Sequence, residues 1–139
     1  MISNSKLVLV ISAALIILIT VFYLIYRQNL QKKRLIKRWN SLMKLVSKKN
    51  KWSQFAVEAD KLIIDTLKFK HFKGHSAGEK IVSAQHKFSN NDDVWFCHKL
   101  ATQILDDNTL LEDKDTVLRL IHSCRQSLID LELLKDDKK

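Results

Sequence analysis

Twenty consecutive residues, LVLVISAALIILITVFYLIY from Leu7 to Tyr26, carry no charge, and this run constrains the chain more than any other feature. A helix rises about 1.5 Å per residue, so such a run reaches roughly 30 Å, the thickness of a bilayer's hydrocarbon core. Fourteen of the twenty are Leu, Ile, Val or Phe, and each favours insertion by about 0.3 to 0.6 kcal/mol near the helix centre. Ser12 and Thr20 are polar exceptions whose hydroxyls can bond back to the helix. Tyr23 and Tyr26 fall at the downstream end, where an interfacial ring is buried while its hydroxyl stays wet. The run exceeds the apolar region of about 7–15 residues typical of a cleaved signal, and it passes directly into Arg27-Gln28-Asn29. Residues 1–26 are therefore expected to form an N-terminal segment and an uncleaved transmembrane anchor. A pilin-like leader is not expected, because neither a glycine nor an acid opens the run. No pair of small residues has the spacing of a helix-dimer motif, which leaves the oligomeric state open.

Positive charge crowds the next stretch. RQNLQKKRLIKR, residues 27–38, carries Arg27, Lys32, Lys33, Arg34, Lys37 and Arg38, against Lys6 alone on the other side of the run. Basic flanks stay cytoplasmic, so the expected arrangement is a single pass through the cell membrane, N-terminus outside and C-terminal domain in the cytoplasm. Residues 27–38 are assigned as a basic juxtamembrane stalk, and its six bases as contacts to anionic lipid headgroups, at about 1 kcal/mol each. A nucleic-acid arm would use the same charges on phosphates, in competition with the membrane. The chain's net charge of +9 is concentrated here: residues 1–38 hold seven bases and no acid, and the remainder 17 bases against 15 acids.

With 139 residues, no proline and two glycines, there is room for one small all-α domain beyond the anchor. Apolar residues recur at helical spacing in Leu35, Trp39, Leu42 and Val46, with Ile36 and Met43 beside them, and this helix is expected to end near residues 47–51. A second helix places Trp52, Phe55, Ala56, Ala59, Leu62, Ile63, Leu67 and Phe69 on one face, interrupted by Thr66, and Glu58, Asp60, Lys61 and Asp65 on the other. Gly74 suits a helix C-terminus, and Ser76 with Glu79 a capping box that opens a short helix to about Phe88. The polar break at residues 89–93 starts a helix carrying Val94, Trp95, His98, Leu100, Ala101, Ile104 and Leu105. The last helix starts at Asp113 or Asp115, with a stripe of Val117, Leu118, Ile121, Cys124, Leu128 and Leu131. Residues 39–134 thus read as a compact bundle of four or five helices, followed by a frayed tail at 135–139.

Residues able to carry chemistry are few. His71, His75, His98 and His122 do not pair at ligand spacing with Cys97 and Cys124, so no metal is expected. The two cysteines read as free core thiols in a reducing compartment. No phosphate-cradling glycine loop occurs. Residues 39–87 hold ten bases against four acids, and residues 88–139 seven against eleven. A lysine face of Lys48, Lys49, Lys51, Lys68, Lys70 and Lys73 follows, without the arginine forks or exposed aromatics of base readout. Trp39, Trp52 and Trp95 fall on apolar stripes and read as core residues.

The run WSQFAVEADKLIIDTLKF, a glycine-containing loop with a short helix, and DVWFCHKLATQILDD together resemble small membrane-anchored proteins with a HEPN-like domain. The similarity spans residues 39–134 and is most specific at Ala59-Asp60-Lys61 and from Trp95 to Leu100. It implies an all-α bundle associated with RNA cleavage or nucleotide binding through a His-x-x-Arg-Asn-x-x-x-His pattern. Here His98 matches the first histidine, but Ala101 stands for the arginine, Thr102 for the asparagine and Asp106 for the second histidine. Alanine binds no phosphate, and an aspartate repels the RNA backbone, so the motif is degenerate. The expectation is a non-catalytic, cofactor-free, membrane-tethered interaction or adaptor domain with a protein partner. The second reading is an RNA- or nucleotide-binding module at the inner membrane surface.

Overall fold

Uninterrupted helical backbone begins almost at once, as an apolar run without proline or glycine dictates. The computed structural model describes residues 3–138, in which α1 spans Asn4–Leu45, α2 Trp52–Phe69, α3 Ala77–Ser83, α4 Asn91–Asp107 and α5 Lys114–Asp130. A single 3-10 turn, Lys49–Lys51, precedes α2, and no strand occurs among the described residues. The chain divides into two units between Lys33 and Arg34.

In the first unit the large apolar side chains face outward, from 38% exposed at Leu30 to 74% at Phe22. Ser12 Oγ donates to the Leu9 carbonyl at 2.9 Å and Thr20 Oγ1 to that of Ile16 at 2.8 Å, so neither hydroxyl needs an outside partner. This is the one helix among the described residues long and apolar enough to cross a membrane.

The second unit is a helical bundle with its own core. The end of α1 contributes Leu35, Trp39 and Leu42, with Trp39 tilted against Phe55 at 6.2 Å between ring centroids. Leu35 and the pairing of Arg38 with Asp65 draw the last residues assigned to the stalk into this unit. Helix α2 is the central element: Phe55, Ala56, Ala59, Leu62, Ile63 and Leu67 are fully buried. Thr66, the polar interruption in its stripe, is also buried, because Oγ1 donates to the Leu62 carbonyl at 2.7 Å. Trp52 is half-buried, with Nε1 donating to the Val46 carbonyl at 2.8 Å.

Helix ends follow the cap chemistry, with one displacement. Ser76 and Glu79 form the reciprocal capping box of α3, Asn90 Oδ1 accepts from the Asp92 amide to open α4, and Asp113 caps α5. Gly74 does not end α2; the left-handed position belongs to His71, at φ 62°. There the Phe72 amide donates to the Leu67 carbonyl and the His71 amide to that of Lys68, the paired bonds of a Schellman ending. Glu132, at φ 61°, closes α5 by the same pair, Leu133 to Leu128 and Glu132 to Ile129.

Several stripes are rotated from the sequence expectation. Met43, Leu105 and Leu118 are exposed, and Leu120, outside the expected stripe of α5, is fully buried with Val117, Cys124 and Leu128. Helix α3 stops at Ser83 instead of reaching Phe88, since turns carry the chain through residues 84–87. Across the α4–α5 seam, Ser123 Oγ donates to Asp93 Oδ1 at 3.2 Å and the Arg119 guanidinium lies 4.0 Å above the Phe96 ring centroid.

Candidate functional site around His98

The polar face expected for α2 contains one residue that does not point to water. Asp60 follows the buried Ala59, and the packing of α4 on α2 brings His98 over it. His98 Nδ1 lies 3.1 Å from both Oδ1 and Oδ2 of Asp60. The side chains are only 22% and 14% exposed, so the contact is shielded from solvent. Burial raises the Asp60 pKa above its ordinary value, while the charge and hydrogen bond of His98 pull it back down. A carboxylate at Nδ1 fixes the imidazole's orientation and leaves Nε2 as the nitrogen available to other groups.

The imidazole is also held from the side. The Trp95 ring meets it edge-on, with centroids 6.0 Å apart. Trp95 in turn lies over Gly78 of α3, where a Cβ would stand 3.6 Å from the end of the indole. One turn further along α4, Thr102 Oγ1 donates to the His98 backbone carbonyl at 2.9 Å. His98, Lys99, Thr102, Gln103, Asp106 and Asp107 line a shallow, open groove along α4.

The four residues singled out on this helix therefore do not converge. His98, Thr102 and Asp106 border one groove, while Ala101 is buried with 1% exposure and faces the bundle interior. A side chain at 101 in this packing cannot reach a ligand in the groove. Asp106 and Asp107 give the groove two carboxylates against the single Lys99, an arrangement unfavourable to a phosphate chain. Among the described residues no three His, Cys, Asp or Glu side chains gather to hold a metal ion.

The six bases also differ in circumstance. Arg27 and Lys33 are exposed and Lys32 half-buried in the first unit. In the second, Arg38 Nη1 lies 2.6 Å from Asp65 Oδ2, so its charge is already partnered. Arg34, Lys37 and Ser41 share an open groove with Arg38, Leu42 and Glu58. Of the lysine face, Lys70 lies 5.7 Å from the Phe69 ring centroid, and Lys48, Lys49, Lys68 and Lys73 are exposed.

Sequence reasoning identified His98 but missed its partner. Periodicity within its own helix puts Asp60 on the solvent face, and nothing local signals that another helix will cover it. The only available sign was Asp60 standing beside the apolar Ala59 and one turn before Ile63 and Ile64. The chain matches no protein family, no curated protein and no solved structure with which it was compared.

Proposed function

We propose that the protein is a single-pass, membrane-tethered helical interaction module without catalytic activity, its bundle held at the cytoplasmic surface to engage a protein partner. The observation that carries this reading is the contrast between the two units. From Leu7 to Tyr26 the large apolar side chains are about half exposed or more, whereas the second unit buries a core of its own. Water strongly disfavours an apolar surface of that extent, and lipid accommodates it. The bases at Arg27, Lys32 and Lys33 then favour the cytoplasmic leaflet. Tethering confines the bundle to a thin layer and raises its effective concentration for another membrane-bound protein, without any new contact.

The experiment is extraction of membranes carrying the full chain with alkaline carbonate, followed by protease treatment of sealed, right-side-out vesicles. Retention in the pellet with the bundle protected supports the tether and its orientation. Release into the supernatant overturns the tether, and digestion of the bundle from outside overturns the orientation. Crosslinking in native membranes, with and without nuclease, then tests the partner class.

A second reading, a HEPN-like module that binds RNA or a nucleotide, is favoured by one observation: the orienting contact between Asp60 and His98 on the helix that carries the degenerate motif. The carboxylates of Asp106 and Asp107 and the burial of Ala101 weigh against it. Affinity for RNA falling steeply with salt would move it into first place.

A further inference from the structure

The chain's two cysteines, 27 positions apart, meet inside the α4–α5 seam. Cys97 Sγ and Cys124 Sγ lie 2.8 Å from each other, both with 0% exposure, and no bond joins them. Each sits on a helix whose position is fixed nearby by other contacts: Asp93 with Ser123, and Phe96 with Arg119. Only a small approach of the sulfurs is needed for them to bond. Apolar packing alone does not require two thiols to face each other, since alanine, valine or serine would fill such a volume.

We propose that Cys97 and Cys124 form a reversible dithiol–disulfide pair, closed by a peroxide-class oxidant, which cross-links α4 to α5. In the first step one thiol sulfur attacks a peroxide oxygen, the O–O bond breaks, and a sulfenic acid and one water form. In the second the other thiol displaces the sulfenic oxygen, which leaves as water after taking up the proton, and the S–S bond is made. The sum is two thiols and one hydrogen peroxide giving one disulfide and two waters. A dithiol reductant returns both hydrogens.

Burial sets the rate of this chemistry. It pushes the Cys124 thiol well above its ordinary pKa, and the neighbouring Cys97 adds to the shift, so little Cys124 thiolate exists at rest. Closure therefore follows brief openings of the seam that admit a small oxidant, and is slow compared with an exposed thiol. In a reducing compartment the pair rests open and responds to peroxide. Cys97 precedes His98, so closure also pins the turn of α4 that presents the imidazole.

The test uses the full chain in detergent micelles, reduced and freed of reductant, then exposed to hydrogen peroxide. After quenching, the protein is unfolded in denaturant, treated with a maleimide and weighed intact. The expected result is a monomer that takes up no maleimide after peroxide and two after subsequent dithiol reduction, with a melting temperature raised by roughly 10 °C in the oxidised form. Cys97→Ser and Cys124→Ser singly should abolish the peroxide-dependent rise. The wild-type maleimide count and melting temperature decide the matter even if a variant fails to fold. Two maleimides taken up after peroxide, disulfide-linked dimers, or an oxidised form that melts no higher would each overturn the proposal.

Discussion

His98 Nδ1 stands 3.1 Å from both carboxylate oxygens of Asp60, and this contact joins α4 to α2 across 38 positions of sequence. Burial has the larger influence on Asp60 and raises its pKa above 3.8, against the attraction of His98. A carboxyl whose pKa is higher in the fold than in the unfolded chain holds its proton more tightly when folded. Its contribution to stability is fully present below pH 3.8 and is lost as the pH climbs through the raised value.

Asp60→Asn removes that titration while keeping an acceptor for Nδ1. The melting temperature of wild type minus that of the variant should therefore shrink as the pH rises from about 3 to about 6. Melts followed by circular dichroism at several pH values measure it. A difference that widens over this range would mean that the His98 attraction outweighs burial. His98→Ala leaves the Asp60 carboxyl covered without its partner, at a cost of about 1–3 kcal/mol.

Two leucines two positions apart on α5 give a sharper test of packing. Leu120 is 0% exposed and Leu118 is 53% exposed. Leu120→Ala should cost about 2–5 kcal/mol through lost burial and the cavity left behind. Leu118→Ala should stay within about 0.5 kcal/mol of wild type. Denaturant unfolding of the full chain in micelles measures both, and equal losses would contradict the orientation of α5.

The same pair shows where sequence reasoning stopped. Periodicity within a helix located the elements well: α2 spans Trp52–Phe69, as its apolar spacing requires, and Ser76, Asn90 and Asp113 cap the next three helices through local hydrogen bonds. These features depend on residues within one or two turns. Which edge of a stripe turns inward depends on how helices cross, so periodicity alone puts Leu118 and Leu105 in the core and Asp60 in solvent, the reverse of what the structure shows. The pairings of Asp60 with His98 and of Cys97 with Cys124 are long-range consequences of that crossing. Helix α4 is legible as a helix, but the inward position of Ala101 is not.

Glycine placement gives opposite signs at two nearby sites. Gly74 sits at φ 143°, and a Cβ there would lie 2.8 Å from the Lys80 backbone nitrogen. Gly74→Ala should therefore destabilise by more than about 1 kcal/mol. At Gly78 an added Cβ makes ordinary contact with Trp95 at 3.6 Å, and Gly78→Ala in α3 should stabilise by up to about 1 kcal/mol. His71 holds the left-handed position that ends α2, at φ 62°. His71→Gly should relieve part of the roughly 1–2 kcal/mol that a side chain costs there. Thermal melts rank the three, and a stabilising Gly74→Ala would contradict the loop's geometry.

The burial of Ala101 changes how the HEPN-like reading of α4 proposed above must be tested. The proposed resemblance calls for an arginine at position 101, yet Ala101 has 1% exposure and Thr102 is the neighbour on the open groove. Ala101→Arg forces a long cation into a packed interior. Overpacking alone costs about 1–3 kcal/mol, and the charge must either lose water or push α4 away from the bundle. The variant should unfold at distinctly lower denaturant and gain no affinity for RNA. Thr102→Arg places the same cation beside Asp106 in the groove, should leave stability within about 0.5 kcal/mol, and is the variant that can test phosphate binding. A salt-dependent gain in RNA affinity for Thr102→Arg alone would mean that the groove needs only a cation, whereas a stable Ala101→Arg that binds RNA would mean that α4 presents the opposite face.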